Sequence, residues 1–162
     1  MKVFALDPGA TTGWVIYDTE ARRAIESGCF PGSEWPKQLM ALCWGADVRV
    51  IERPMGYGAT RPQVVDCAWV AGILTGSMRQ GGLEVHEMKR HEIKVILSDA
   101  TLRDIVVKND ATAWAAILML HGGEQAAKKG GPLHGVKSHG RAALAAAVAW
   151  DLMSRERAVR PG

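Results

Sequence analysis

No apolar run in the sequence approaches the roughly 18 residues that a membrane-spanning helix requires, so no membrane partner is expected. Cysteine is scarce. Cys29, Cys43 and Cys67 are odd in number, widely spaced and form no Cys-x-x-Cys pair. That argues against a zinc site and for a reducing compartment. There is no Gly-x-Gly-x-x-Gly and no Walker lysine loop, so no nucleotide cofactor of the Rossmann or P-loop kind is expected. No internal repeat is visible. The N-terminal residues run straight into a strand pattern without a signal-peptide layout, which leads to the expectation of a cytoplasmic protein. Neither sign of charge dominates: 20 Lys and Arg stand against 17 Asp and Glu. A net charge of +3 and a pI near 8.9 permit nucleic-acid binding without demonstrating it.

What remains is an ordinary globular composition. The chain has 162 residues, 48% of them hydrophobic and 23% charged, which fits a single domain over 1–162. The stretch KVFALDPGATTGWVIY, residues 2–17, organises the reading. Val3 to Leu6 form a short apolar run that ends on Asp7. Pro8-Gly9 is a turn signal, and Trp14 to Tyr17 is strand-like again. Residues 2–7 and 12–18 therefore read as a hairpin, with Arg23 to Cys29 as a third antiparallel strand. Phe30 to Ser33 reads as a loop. Trp35, Leu39, Leu42 and Cys43 give residues 34–45 a helical period. Asp47 to Glu52 alternates as a strand and ends on a second acid.

Residues 53–62, RPMGYGATRP, form a loop. A helix is expected over 63–79, with Val65, Trp69, Ile73 and Leu74 as its apolar stripe; Trp69 and Ile73 face either a partner subunit or the core. Leu83 to His86 reads as a fifth strand and Met88 to Leu97 as a basic helix with Lys89, Arg90, His91 and Lys94. Asn109 or Asp110 caps a helix through Leu120. Residues 122–137 are rich in glycine and lysine with no apolar period and read as a mobile basic loop. Ser138 reads as the N-cap of a last helix, HGRAALAAAVAWDLM, whose alanines suit close packing on a sheet. The order βββαβαβ followed by helices predicts an α/β protein: a five-stranded mixed sheet, its first three strands antiparallel, flanked by helices.

Asp7 and Glu52 both end apolar strands that can lie side by side. Adjacent acids repel, and a divalent cation between them removes the repulsion. Oxygen donors suit Mg²⁺ or Mn²⁺ rather than zinc. Such centres support in-line phosphodiester hydrolysis. His139 in the first turn of the last helix can reach the same point, either as a ligand or as a proton carrier. Each residue also has a plainer role: Asp7 as a turn cap and His139 as an exposed helix start.

The chain resembles RuvC-type Holliday junction resolvases of the phage kind, in the RNase H-like nuclease superfamily. LDPGATTGW resembles the first motif of that family, VIERPMGYG the second with its catalytic glutamate, and KSHGRAALAAAVAW the last. The resemblance implies an RNase H-like fold and a structure-selective endonuclease. It implies resolution of four-way DNA with Mg²⁺ or Mn²⁺, and a homodimer. Asp7, Glu52 and His139 would be catalytic and metal-binding. Lys94 and Lys108 fall where the family carries basic residues near the cleaved phosphate. Arg53, Met55, Tyr57 and Arg61 in the first loop, Lys89, and Lys128, Lys129 and Lys137 in the last are expected to contact DNA. One position departs from the pattern. The family places an aspartate three residues after His139, where this chain has Ala142, so impaired catalysis is expected. Two other readings follow from the same residues. A non-catalytic binder of branched DNA would keep the basic loops without the metal cluster. The DPGATTG turn also resembles the phosphate loop of actin-like kinases, but those need a second domain for which 162 residues leave no room.

Overall fold

The computed structural model describes residues 1–54 and 62–159. Strand β1 (Lys2–Asp7) lies at the centre of a five-stranded sheet of order β3-β2-β1-β4-β5. Strands β2 (Thr11–Asp18) and β3 (Arg23–Pro31) pair antiparallel on one side, and β4 (Val48–Arg53) and β5 (His86–Lys89) pair parallel on the other. This is the mixed sheet that the sequence predicts. Val3, Phe4, Ala5 and Leu6 are all fully buried because helices cover both faces of β1.

The period of two along the strands divides the core. Val3, Ala5, Val15 and Tyr17 face helices α3 (Arg90–Ala100), α4 (Asp110–Leu120) and α5 (His139–Val159). Phe4, Leu6, Trp14 and Ile16 face α1 (Lys37–Trp44) and α2 (Pro62–Gln80). Helix α5 lies directly on β1 and β2, and Ala143, Ala146, Ala147 and Ala149 are completely buried there. Gly13 permits this approach. A Cβ at Gly13 would collide with the backbone carbonyl of His139, and Gly13 is also the residue paired with Asp7. The first turn of α5 is thus set down beside the end of β1. Gly13→Ala is expected to cost about 1–3 kcal/mol through this overpacking. A thermal melt checks it, and an unchanged melting temperature would mean that the helix start gives way freely.

Several boundaries differ from the sequence expectation. Phe30 and Pro31 belong to β3 rather than to a loop; β3 is an edge strand, where proline is tolerated. Helix α1 begins at Lys37, and Trp35 instead stacks against Phe4 and Phe30 at 6.2 and 6.1 Å between ring centroids. The fifth strand is His86–Lys89 rather than 83–86, since pairing with β4 selects the later register. Asn109 is the cap of α4, accepting from the Thr112 amide at 3.0 Å. Ser138 has a φ of +42°, outside the extended conformation of a capping serine.

Residues 122–137 are mostly irregular but anchored, which the reading as a mobile loop does not anticipate. A short 3₁₀ helix spans Gly123–Ala127, and Ala126, Leu133 and Val136 are buried in the core. The Pro132 carbonyl also accepts the Ala24 amide of β3 at 2.8 Å. Among the described residues, no helix is long and apolar enough to cross a membrane.

Candidate active site

The parallel register of β1 and β4 pairs Leu6 with Ile51, so the next residues along are Asp7, the last of β1, and Glu52, the last but one of β4. Glu52 is only 5% exposed. Burial, followed by the charge of Glu52, raises Asp7 from its ordinary value of 3.8 to about 7; Arg90 offsets part of this rise. Burial also raises Glu52, again opposed by Arg90. The side chain of α2 nearest the turn after Asp7 is Cys67: a Cβ on Gly9 would lie 3.8 Å from its Sγ. Burial, then the Asp7 charge, raises the Cys67 thiol, which disfavours a nucleophilic thiolate.

Arg90, the first residue of α3, spans the acids. Its Nη1 donates to Glu52 Oε1 at 2.7 Å and its Nη2 to Asp110 Oδ1 at 2.5 Å. Asp110 is free for this because Asn109 takes the cap of α4. A cavity of about 20 Å³, little more than the space of one water, is lined here by Glu52, Arg90, Lys94, Asp110, Arg141 and Ala142. Position 142 therefore faces Glu52 and Asp110. Arg141 lies over the Trp114 ring at 4.4 Å. Lys94 Nζ donates to the Lys108 carbonyl at 2.7 Å, tying the two lysines together.

The donor set fits one divalent cation. Two mutually repelling carboxylates, Glu52 buried and Asp7 half-buried, share a strand-end position, and oxygen is the donor that Mg²⁺ and Mn²⁺ prefer. A second ion would meet the Ala142 methyl and the Arg90 guanidinium that bridges Glu52 and Asp110. His139 is exposed at the start of α5, with its backbone against Gly13. Among the described residues, no three His, Cys, Asp or Glu side chains converge as a metal centre, so the expected trio of Asp7, Glu52 and His139 is brought together only in its two acids.

Of the expected DNA contacts, Lys108, Lys128, Lys129 and Lys137 are exposed. Arg53 is also exposed, 3.7 Å from Glu87, and Lys89 lies 3.4 Å from Glu92. Met55, Tyr57 and Arg61 lie outside the described residues. Sequence reasoning overlooked Asp110 and Arg141 as site residues and read Arg90 only as part of a basic stretch. The doubled capping signal at Asn109-Asp110 was the available hint, since one helix needs one cap.

No protein-family model matches the sequence, and no curated protein matches it. Solved structures do. Thermus thermophilus RuvC superposes with a TM-score of 0.67 at 14% identity, over 96% of this chain and 96% of that one. T. thermophilus RuvC in complex with a Holliday junction substrate superposes with a TM-score of 0.63 at 16% identity, again over 96% of both chains. The chain has the RuvC fold. The likeness covers nearly the whole chain rather than one motif.

Proposed function

We propose that the chain binds branched DNA, four-way junctions above all, and is built as a divalent-metal-dependent endodeoxyribonuclease whose chemistry is impaired by Ala142. The carrying observation is the pair Asp7 and Glu52 on adjacent strand ends, with Glu52 buried in a cavity rimmed by Arg90, Lys94 and Arg141, on a RuvC fold. Strand-end acids beside a rim of cations suit an anionic substrate that arrives with its own metal.

In this reading Asp7 and Glu52 hold one Mg²⁺ or Mn²⁺. When bound, the ion supplies Lewis acidity to the phosphodiester and acidifies a water. Lys94 and Arg141 stand beside the attacked phosphate and neutralise its charge. His139, exposed in the first turn of α5, is proposed as the proton carrier. Arg53, Lys89 and Lys108, together with the basic segment, hold the backbone of the arms. Met55, Tyr57 and Arg61 are proposed to meet the junction itself, with Tyr57 stacking on an unpaired base; Tyr57→Ala should then weaken junction binding more than duplex binding. Gel assays with four-way, forked and linear DNA in Mn²⁺, comparing the chain with its Ala142→Asp variant, test the reading.

The second reading, a binder without catalysis, is favoured by the methyl group at position 142. In that case Ala142→Asp never cuts.

The lysines Lys128, Lys129 and Lys137 are expected to contribute only electrostatically. Replacing all three by alanine should lower the slope of log affinity against log salt by up to about 2.7 on duplex arms. An unchanged slope would assign the segment no DNA contact.

A homodimer follows from the two-fold character of four-way DNA. Trp69, 72% exposed, does not pack in the core, and with Val65 and Ile73 it leaves an apolar stripe on α2. Sedimentation is expected to show a dimer that Trp69→Lys weakens. A monomer at tens of micromolar, with and without DNA, would count against it.

A further inference from the structure

The cation found among these acids belongs to the chain itself. The guanidinium of Arg90 joins Glu52 to Asp110 at 2.7 and 2.5 Å, through one Nη atom each. The same small cavity carries the Ala142 methyl. A planar fork that engages two carboxylates at once delivers one positive charge to fixed positions, which a flexible ammonium does less well. Glu52 is buried, so its charge needs a partner in the absence of any ion. Asp110 is 68% exposed and needs none, yet it turns toward Arg90.

We propose that Arg90 is the resident cation of this acidic cluster: it occupies the ground between Glu52 and Asp110 that a second divalent ion would otherwise take, so the chain binds one ion rather than two. This rests on the metal-dependent reading above. It assigns Arg90 as a positioning residue that fixes the direction of Glu52 and sets how many metal ions the site accepts. It also gives Asp110 a role as the second anchor of the guanidinium.

The test counts ions rather than products. Mn²⁺ is titrated into the metal-free chain and followed by electron paramagnetic resonance of the free ion. One bound Mn²⁺ per chain is expected, and two would overturn the proposal. Arg90→Gln removes the charge and keeps hydrogen-bonding capacity. It should tighten Mn²⁺ binding at least about tenfold or admit a second ion, since removing one full charge about 5 Å from a divalent ion is worth more than this even at the dielectric constant of water. Arg90→Lys keeps the charge and should remain close to the unmodified chain in both affinity and number. Circular dichroism of each variant checks the fold. Unchanged or weaker binding by a folded Arg90→Gln chain would overturn the role of Arg90 alone. Absence of Mn²⁺ binding by both the unmodified chain and Arg90→Gln would overturn it together with the metal-dependent reading.

Discussion

Ala142→Asp is expected to raise Mn²⁺- or Mg²⁺-dependent nicking of four-way DNA by about a thousandfold, equivalent to roughly 4 kcal/mol of transition-state stabilisation. The size follows from what position 142 faces. Its methyl group lines a cavity with Glu52, Arg90 and Asp110. A carboxylate there adds a third oxygen ligand where the present chain has two. Arg90 already serves two carboxylates, so the added acid is left to a divalent ion. DNA affinity should change far less, because phosphate contacts by Lys and Arg dominate it. It should fall slightly, since a negative charge is added next to the bound backbone. The restored activity should disappear again with Glu52→Gln. Initial rates on a labelled junction, with binding measured in parallel, separate the two effects.

The second large effect concerns stability. Asp7→Asn should stabilise the metal-free chain at neutral pH. Burial and the neighbouring Glu52 charge raise Asp7 to about 7 in the folded chain, from 3.8. The folded state thus favours the protonated acid. Its stability is highest relative to the variant below about pH 4, falls as pH rises from 4 to 7, and then levels off. Asparagine carries no charge to remove, so the advantage of Asp7→Asn is absent near pH 4 and complete above 7. The full shift would correspond to about 4 kcal/mol. Sharing of charge with Glu52 and Arg90 reduces this to about 1–3 kcal/mol, a rise in melting temperature of about 3–10 °C. Mg²⁺ should narrow the gap by binding only the unmodified chain with full strength. Melts of both proteins at pH 4 and 8, with chelator and with Mg²⁺, give four comparisons. A lower melting temperature for Asp7→Asn at pH 8 in chelator would contradict the electrostatics assigned to the site.

The two strand-end acids were legible in the sequence because each closes an apolar run, and a buried strand has little reason to end on a carboxylate. The alanine-rich final helix was legible for a similar reason: only small side chains let it lie on β1 and β2. Strand β5 was not. Its residues, HEMK, bury only Met88 fully, and the preceding Leu83 to Val85 look more strand-like; pairing with β4 decides the register. Leu133 and Val136 gave no periodic signal, yet both are held in the core between loop residues. The Arg90 bridge was invisible because its partners lie 38 and 20 residues away in sequence and meet only after the sheet and α4 are in place. Capping chemistry alone made Asp110 look local. The step from strand-end acids to divalent-metal phosphodiester chemistry rests on the acids themselves; the step to four-way DNA junctions rests on the resemblance of three motifs.

Recognition of branched DNA is the claim on which the nuclease reading, the dimer and the role of Ala142 all depend. The direct measurement is equilibrium binding of the unmodified chain, in chelator and at fixed salt, to a four-way junction and to a linear duplex made from the same arms. We expect the junction to bind at least about tenfold more tightly, a difference of about 1.4 kcal/mol. Equal affinity for the two DNAs across salt concentrations would contradict the account.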